Sequence, residues 1–345
     1  MRFFAAALLA LLLAACGQPA PVAQESYVFG TRVEVLVWGA RGVAAQNAAD
    51  EVLREFDRLH RTYHAWQPSE LTALNDAIAA GRPHEVSAEL AELIITAQAL
   101  TVQSEWLFDP GIGRLVALWG FHGDEFKPAL PDAAALATLV AAKPSITDLV
   151  LEGNRVSSKN PAVALDFGGY LKGVALDRAA AIFKTRGIQN ALINIGGNVL
   201  AMGRKGDQPW RVGIQHPRSA EAGGAPLATL ELHDGEAIGT SGDYQRYFEV
   251  DGRRYSHLID PRTGLPVVGT QALTVLIPPA AAVGLYSDVL SKPLFVAGED
   301  WPRLARKIGA GQVLRVDAAG KIAVTAALRP RLTFAPANPD LTVVQ

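Results

Sequence analysis

The chain has 345 residues, 49% of them hydrophobic, and a formal net charge of −2. That length supports a sizeable core in one large domain or two small ones. The near-balance of charge argues against nucleic acid as a partner, and a single cysteine, Cys16, excludes an internal disulfide.

At the amino end, Arg2 precedes an apolar run from Phe3 to Ala15, then Cys16 and Gly17. A cationic start, a short apolar core and small residues at its end make a secretory signal, too short for a spanning helix. Residues Leu13-Ala14-Ala15-Cys16 resemble a bacterial lipobox, in which the cysteine is acylated and becomes the first mature residue. Such chains would anchor the protein to a membrane surface without spanning it. The alternative is a plain cleaved signal with an incidental cysteine. By the same resemblance, Gly17 favours the outer membrane, on the periplasmic side of a bacterial envelope. The expected organisation is a signal over 1–16, a tether over 17–26, a folded domain over 27–335 and a loose tail over 336–345.

Tyr27 to Val37 alternates and reads as a strand. Val43 to Trp66 reads as a helix, with Val52, Phe56, Leu59 and Tyr63 at helical spacing. His60 and His64 stand one turn apart, as metal ligands can, but without a glutamate beside the first or a third ligand they are expected to be a surface pair. Ser87 to Leu107 predicts a second helix, with Ser87 and Glu89 in its opening turn, broken by Asp109-Pro110-Gly111. Pro131 to Ala142 is a short helix, and Asp148 to Ser157 a hairpin around Glu152-Gly153-Asn154. Leu165 to Gly187 is a glycine-rich turn leading into a helix. Ala191 to Ala201 is an apolar strand interrupted by Gly196-Gly197. Strands follow at Trp210–Gln215, Leu227–Leu232, Glu236–Gly239, Tyr244–Val250, Arg254–Ile259 and Ala272–Ile277. Pro279–Ser291 is a helix, Leu294–Ala297 a strand and Trp301–Gly309 a helix, before two or three terminal strands. Helices first and strands later predict an α+β fold in one compact domain, at most bilobal.

Four stretches carry chemistry. In Leu165-Asp166-Phe167-Gly168-Gly169-Tyr170-Leu171-Lys172-Gly173, two glycines allow close backbone approach, the helix start favours an anion, and Lys172 could reach a phosphate. The spacing is neither a Walker loop nor a dinucleotide fingerprint, and a structural turn is the alternative. Asn194-Ile195-Gly196-Gly197-Asn198 suggests a bulge in a strand. Ile238 to Pro266 joins a hydroxyl-glycine turn (Thr240, Ser241, Gly242), His257 and the turn Asp260-Pro261-Arg262-Thr263-Gly264. Such turns can hold phosphate oxygens, while arginine and histidine add a cation and a proton carrier. Last, Asp288 could pair with Lys292 one turn later, or ligate a hard cation such as Mg²⁺.

In this order the segments resemble the ApbE family of FAD:protein FMN transferases. The matching pieces are Phe29-Gly30-Thr31; Arg61-Thr62-Tyr63 through Ser69-Glu70 to Asn75; Phe108-Asp109-Pro110 through Trp119-Gly120-Phe121; Leu165 to Asp177; Asn194 to Asn198; Thr240 to Tyr244; Ser256 to Gly264; and Asp288. The resemblance implies an enzyme that takes FAD as substrate, cleaves its pyrophosphate and attaches FMN by a phosphoester to a threonine or serine of an acceptor flavoprotein, releasing AMP. Family acceptors are subunits of respiratory complexes and membrane reductases. They present a short Asp-(Gly/Ser)-…-Ser/Thr-Gly-Ala-Thr motif that is not evident here, so self-flavinylation is not expected.

The resemblance also implies roles. His257 would be the base that deprotonates the acceptor hydroxyl. Asp288 and the backbone carbonyl of Leu171 would hold Mg²⁺. Lys172, Thr240, Ser241 and Arg262 would surround the phosphates, with Gly169 and Gly242 in the same turns. Thr31, Tyr63, Asn75 and Asp166 would help seat the nucleotide or flavin, and Asp243 would only support.

Lys292 departs from the family, whose members usually carry a threonine there to complete the cation site. A protonated amine cannot ligate a metal, and its charge opposes one. Lys292 could stand in for a metal charge, turn outward and leave an ordinary Mg²⁺ site, or mark lost catalysis. Phe29 for a usual methionine and Leu171 for a usual alanine are milder departures. Two rival readings remain at this level: a FAD pyrophosphatase using water as nucleophile, and a lipid-anchored flavin-binding protein without turnover.

Overall fold

A computed structural model describes residues 21–40, 42–123, 125–219, 224–337 and 339–345. The expected signal, its lipobox and Cys16 lie outside the described residues. Strands β1 (Val22–Val28) and β2 (Thr31–Val37) open the fold as a hairpin. Helices α1 (Gly42–Thr62), α2 (Glu70–Ala79) and α3 (Ala88–Gln103) follow, with β3 (His84–Glu85) before α3. Then come α4 (Gly113–Leu118), α5 (Ala133–Ala142), the hairpin β4 (Leu149–Glu152) and β5 (Arg155–Ser158), and α6 (Leu171–Thr185). The strands β6 (Ala191–Ile195), β7 (Asn198–Met202), β8 (Trp210–Ile214), β9 (Ala228–Leu232) and β10 (Ala237–Gly242) continue the chain. Next are β11 (Tyr247–Val250), β12 (Arg253–Ser256), β13 (Ile259–Asp260), β14 (Leu265–Pro266) and β15 (Thr270–Ile277). Helices α7 (Val283–Val296) and α8 (Trp301–Ile308) precede β16 (Val313–Asp317), β17 (Ile322–Thr325), β18 (Leu332–Phe334) and β19 (Leu341–Val344).

The fold is α+β, built on a nine-stranded sheet in the order β1-β2-β6-β7-β10-β15-β16-β17-β19. Strand alternation sorts its side chains to two faces. From β15, Leu273, Val275 and Ile277 enter a core shared with α1, α6 and α7, whereas Ala272 and Leu276 enter a second core. That second core packs against the three-stranded sheet β18-β9-β8 through Trp210, Leu230 and Phe334. With both faces covered, every residue of β15 is buried. A smaller apolar cluster of Ile112, Leu115, Trp119, Phe121, Phe248 and Ile259 joins α4 to β11 and β13.

Local chemistry accounts for several helix starts. Ser69 caps α2 in a reciprocal box with Thr72, and the Ser87 hydroxyl accepts from the Leu90 amide to start α3. Gly153 and Asn154 turn β4 into β5 as expected. Several expectations are corrected. Residues 22–26, read as tether, are paired strand, and residues 341–344, read as loose tail, pair in parallel with β17. The first run, with Gln24, Glu25 and Ser26, contains few strong strand signals, and the second is short and finds its partner in a strand that is not its neighbour in sequence. Gly196-Gly197 is not a bulge but the reversal between β6 and β7, with φ of 59° and 93° that favour glycine. Leu294–Ala297 is the end of α7 rather than a strand; its apolar run is continuous because the helix is buried almost all round.

Candidate active site

The site begins where α6 and α7 cross. A Cβ at Gly173 would stand 2.7 Å from the Gly284 carbonyl and 2.8 Å from Asp288 Cβ, so only glycine allows this approach. The approach lets the Gly173 amide donate to Asp288 Oδ2 at 2.9 Å. Asp288 is fully buried. Its Oδ1 accepts from Asn198 Nδ2 at 2.8 Å and from Lys292 Nζ at 2.5 Å, and Nζ also donates to the Asp288 carbonyl at 2.7 Å. Burial alone would raise the Asp288 pKa, but the charges of Lys292 and Lys172, with the Lys292 and Gly173 hydrogen bonds, hold it below the usual carboxylate range. Burial draws Lys292 below the ordinary lysine value, with the Asp288 carboxylate opposing.

Above this pair opens a cleft of about 730 Å³. Lys172, Lys292, Gly169 and Asp166 form its charged end, and Phe29, Trp66, Phe108 and Phe121 supply aromatic wall. The Asp166 carboxylate accepts from the Gly168 amide at 2.8 Å and shapes the glycine loop, and burial pushes its pKa up. The start of α6 lines the same end, adding the positive end of the helix dipole to the lysine charges.

His257 enters from the opposite wall, just after β12. Its backbone N–H donates to the Arg246 carbonyl at 3.1 Å, and Nδ1 lies 3.1 Å from the same oxygen. In the tautomer that donates from Nδ1, the Nε2 lone pair is the proton acceptor. Burial first, then the charges of Arg246 and Lys172, pushes the imidazole pKa down to about 3, so the ring is neutral at physiological pH. The Phe121 ring packs edge-on against it at 6.3 Å.

Of the residues the sequence nominates, Thr31, Tyr63, Asp166, Gly169, Leu171, Lys172, His257 and Lys292 line the cleft, and Asp288 lies beneath its floor. Five do not line it. Thr240, Ser241 and Gly242 are not a turn but part of β10, paired with Thr274, Leu273 and Ala272 of β15. The Thr240 hydroxyl bonds Thr274 within the sheet, and that of Ser241 ties the sheet to Ser291 on α7. Asn75 brackets the backbone of Leu165, accepting from its amide at 2.7 Å and donating to its carbonyl at 3.0 Å, which fixes the segment leading to Asp166. Arg262 folds back onto Asp260 at 2.8 Å with 58% of its side chain exposed. Its turn is anchored instead by Trp119 Nε1 donating to the Gly264 carbonyl at 2.7 Å. Asp243, expected to support, holds Arg218 through two bonds of 2.7 Å.

Sequence reasoning missed Arg246, whose Nη2 donates to the Phe121 carbonyl and whose charge faces His257. Its only signal is its place between aromatic residues in the Ile238–Pro266 stretch. His60 and His64, expected on the surface, line the cleft mouth with ring centroids 5.0 Å apart, and Phe29 packs edge-on against His60. His64 Nδ1 accepts from the Trp66 and Gln67 amides, which makes it a turn-forming residue.

The side chains at Asp288 do not fit the Mg²⁺ that the resemblance implies. Oδ1 already takes two donors, one of them an ammonium, and Oδ2 takes a buried amide. Among the described residues no group of three or more His, Cys, Asp or Glu is placed to hold a metal.

A cleft with lysines and a helix start at one end, aromatic rings along its walls and a neutral imidazole facing them defines an enzyme-like site for an anionic, ring-bearing ligand. The chain belongs to the ApbE family, whose model matches residues 29–314. It is 44% identical to the FAD:protein FMN transferase of Rhodobacter capsulatus over 91% of this chain, and spans 59% of that relative's length. It is 31% identical to a Klebsiella pneumoniae FAD:protein FMN transferase, over 92% of each chain. The solved structure of the ApbE protein from Thermotoga maritima matches with a TM-score of 0.80 at 29% identity, covering 90% of this chain and 99% of that one.

Proposed function

We propose that this chain transfers FMN from FAD to a hydroxyl of an acceptor flavoprotein. The observation that carries the reading is the neutral imidazole of His257 set against Lys172 and Lys292 in a cleft walled by aromatic rings. FAD matches that pattern, with two phosphates for the charged end and aromatic rings for the walls. The acceptor threonine or serine oxygen attacks the phosphorus on the FMN side. A new P–O bond forms, the P–O bond to the bridging oxygen breaks, and AMP leaves with that electron pair. The hydroxyl proton passes to His257 Nε2 and on to solvent. Positioning and charge neutralisation supply most of the acceleration in phosphoryl transfer. Lys172 and the positive end of the α6 dipole would neutralise the phosphates.

The acceptor is read as a protein carrying a short threonine or serine flavinylation motif. The Leu13-Ala14-Ala15-Cys16 sequence supports a lipid anchor on the periplasmic side of the bacterial envelope, in reach of membrane-bound acceptors. Incubating the chain with FAD and an acceptor domain should raise the acceptor's intact mass by one FMN and release AMP. FMN and AMP appearing with no mass gain would mean hydrolysis, and unchanged bound FAD would mean binding alone. Replacing His257 by Ala should slow transfer by about 10²- to 10⁴-fold while FAD affinity changes little.

A further inference from the structure

We infer that the Lys292 ammonium is the fixed cation of this site, occupying the place of a divalent metal beside Asp288 and facing the phosphates of the bound dinucleotide. The inference rests on the transferase reading above. Three independent features carry it.

First, most of the acceptor capacity that a metal would use is already committed, and the oxygen beside the cleft lysine fully so. Asp288 Oδ1 is shared by Asn198 and Lys292, Oδ2 is held by the Gly173 amide, and the Asp288 carbonyl takes a second bond from Nζ. A cation ligated by Asp288 would have to expel the ammonium from a 2.5 Å contact. A carboxylate buried to this degree needs an adjacent positive charge, and Lys292 supplies it from one turn along α7.

Second, the opposite wall is shaped for the lysine stem. A Cβ at Gly169 would stand 2.7 Å from Lys292 Cε and 3.0 Å from its Cδ. The glycine loop thus leaves a channel through which the side chain runs beneath the cleft. An outward-turned Lys292 would leave that channel empty and Asp288 without its counter-charge.

Third, Lys292 is not sealed away. It lines the cleft, with 15% of its side chain exposed, next to Lys172. Nζ has three N–H bonds, and two go to Asp288. The third is available to a phosphate oxygen. The two ammonium groups together match the two negative charges of a dinucleotide pyrophosphate. Here the lysine neutralises charge and orients the phosphates, and the bonds made and broken are those given above.

Two measurements on purified protein test this. Electron paramagnetic resonance of added Mn²⁺ reports metal bound without any turnover. FMN transfer is followed in EDTA and in Mg²⁺. The wild-type chain should leave the free Mn²⁺ signal undiminished and transfer FMN at rates within about twofold in the two conditions. Lys292→Thr should bind Mn²⁺, lose about 100-fold in transfer in EDTA, and recover with Mg²⁺; a merely structural lysine would not produce that rescue. Wild-type protein that binds Mn²⁺ and loses transfer in EDTA would overturn the inference, as would Lys292→Thr at full activity in EDTA. The wild-type measurements decide the matter even if the variant fails to fold. Absence of transfer in every condition would sink the transferase reading instead, with the Mn²⁺ result still deciding the cation question.

Discussion

His257 shows how a single side chain is tuned by its surroundings. Its pKa of about 3 in the folded chain lies well below the ordinary value of about 6.5. Between those values the unfolded chain binds a proton that the folded chain does not. The stability that depends on a neutral ring is therefore complete above about pH 6.5 and lost as pH falls toward 3. Urea midpoints recorded from pH 7 to 4 should fall less steeply for His257→Gln than for the wild type; parallel slopes would refute the depressed pKa. The same cations that depress the ring, Arg246 and Lys172, face the cleft from two sides. An anionic ligand that offsets their charge should raise the imidazole pKa, bringing it toward the range where a base works best at neutral pH. Titration of the ring by NMR with and without FAD would register that rise.

At the scale of elements, the site depends on how α6 meets α7. Gly173 and Gly284 let the two helices nearly touch, and Asp177 of α6 accepts from the Gly284 and Leu285 amides at 2.8 and 2.9 Å. These are first-turn amides of α7, so Asp177 acts as its cap from a neighbouring helix, where its own preceding residue Ala282 offers no side-chain oxygen. Removing the carboxylate in Asp177→Ala should cost about 1–2 kcal/mol of unfolding free energy. Because α7 carries both Asp288 and Lys292, FAD affinity should also weaken. A variant with wild-type denaturation midpoint would show that the cap is dispensable.

For the molecule as a whole, the sheet is covered by helices on one face and by β8, β9 and β18 on the other, and the cleft opens on the helical side. The small cluster around Trp119 and Phe248 carries the wall bearing His257 and Arg246, so the two sides of the site belong to separately packed groups of residues. The sheet ends in β19, a four-residue strand that covers the edge of β17. Truncation after Asp340 should expose that edge and increase self-association, visible by light scattering. At the amino end, Cys16→Ser should move the protein from the membrane to the soluble envelope fraction and abolish incorporation of labelled palmitate. Unchanged fractionation would refute the anchor.

Features that depend on neighbours in sequence were legible. Ser87 caps α3, Glu152-Gly153-Asn154 turns a hairpin, and the apolar spacing in α1 marks its buried face, because a cap, a turn and an amphipathic period are complete within a few residues. The order of motifs along the chain was enough for the family, and three of the residues it nominated, His257, Lys172 and Asp166, line one cleft with Asp288 beneath it. Which polar residues reach that cleft was decided only in three dimensions. Thr240 and Ser241 became strand because β15, some thirty residues on, pairs with them. Asn75 was drawn to the Leu165 backbone, Arg262 to Asp260, and Arg246 was turned onto the Phe121 carbonyl. For Asn75 and Arg246 the partner was chosen by packing between distant segments, where a polar group must find a hydrogen bond as water is excluded and local sequence cannot say which one; Arg262 found its partner two residues away in its own turn.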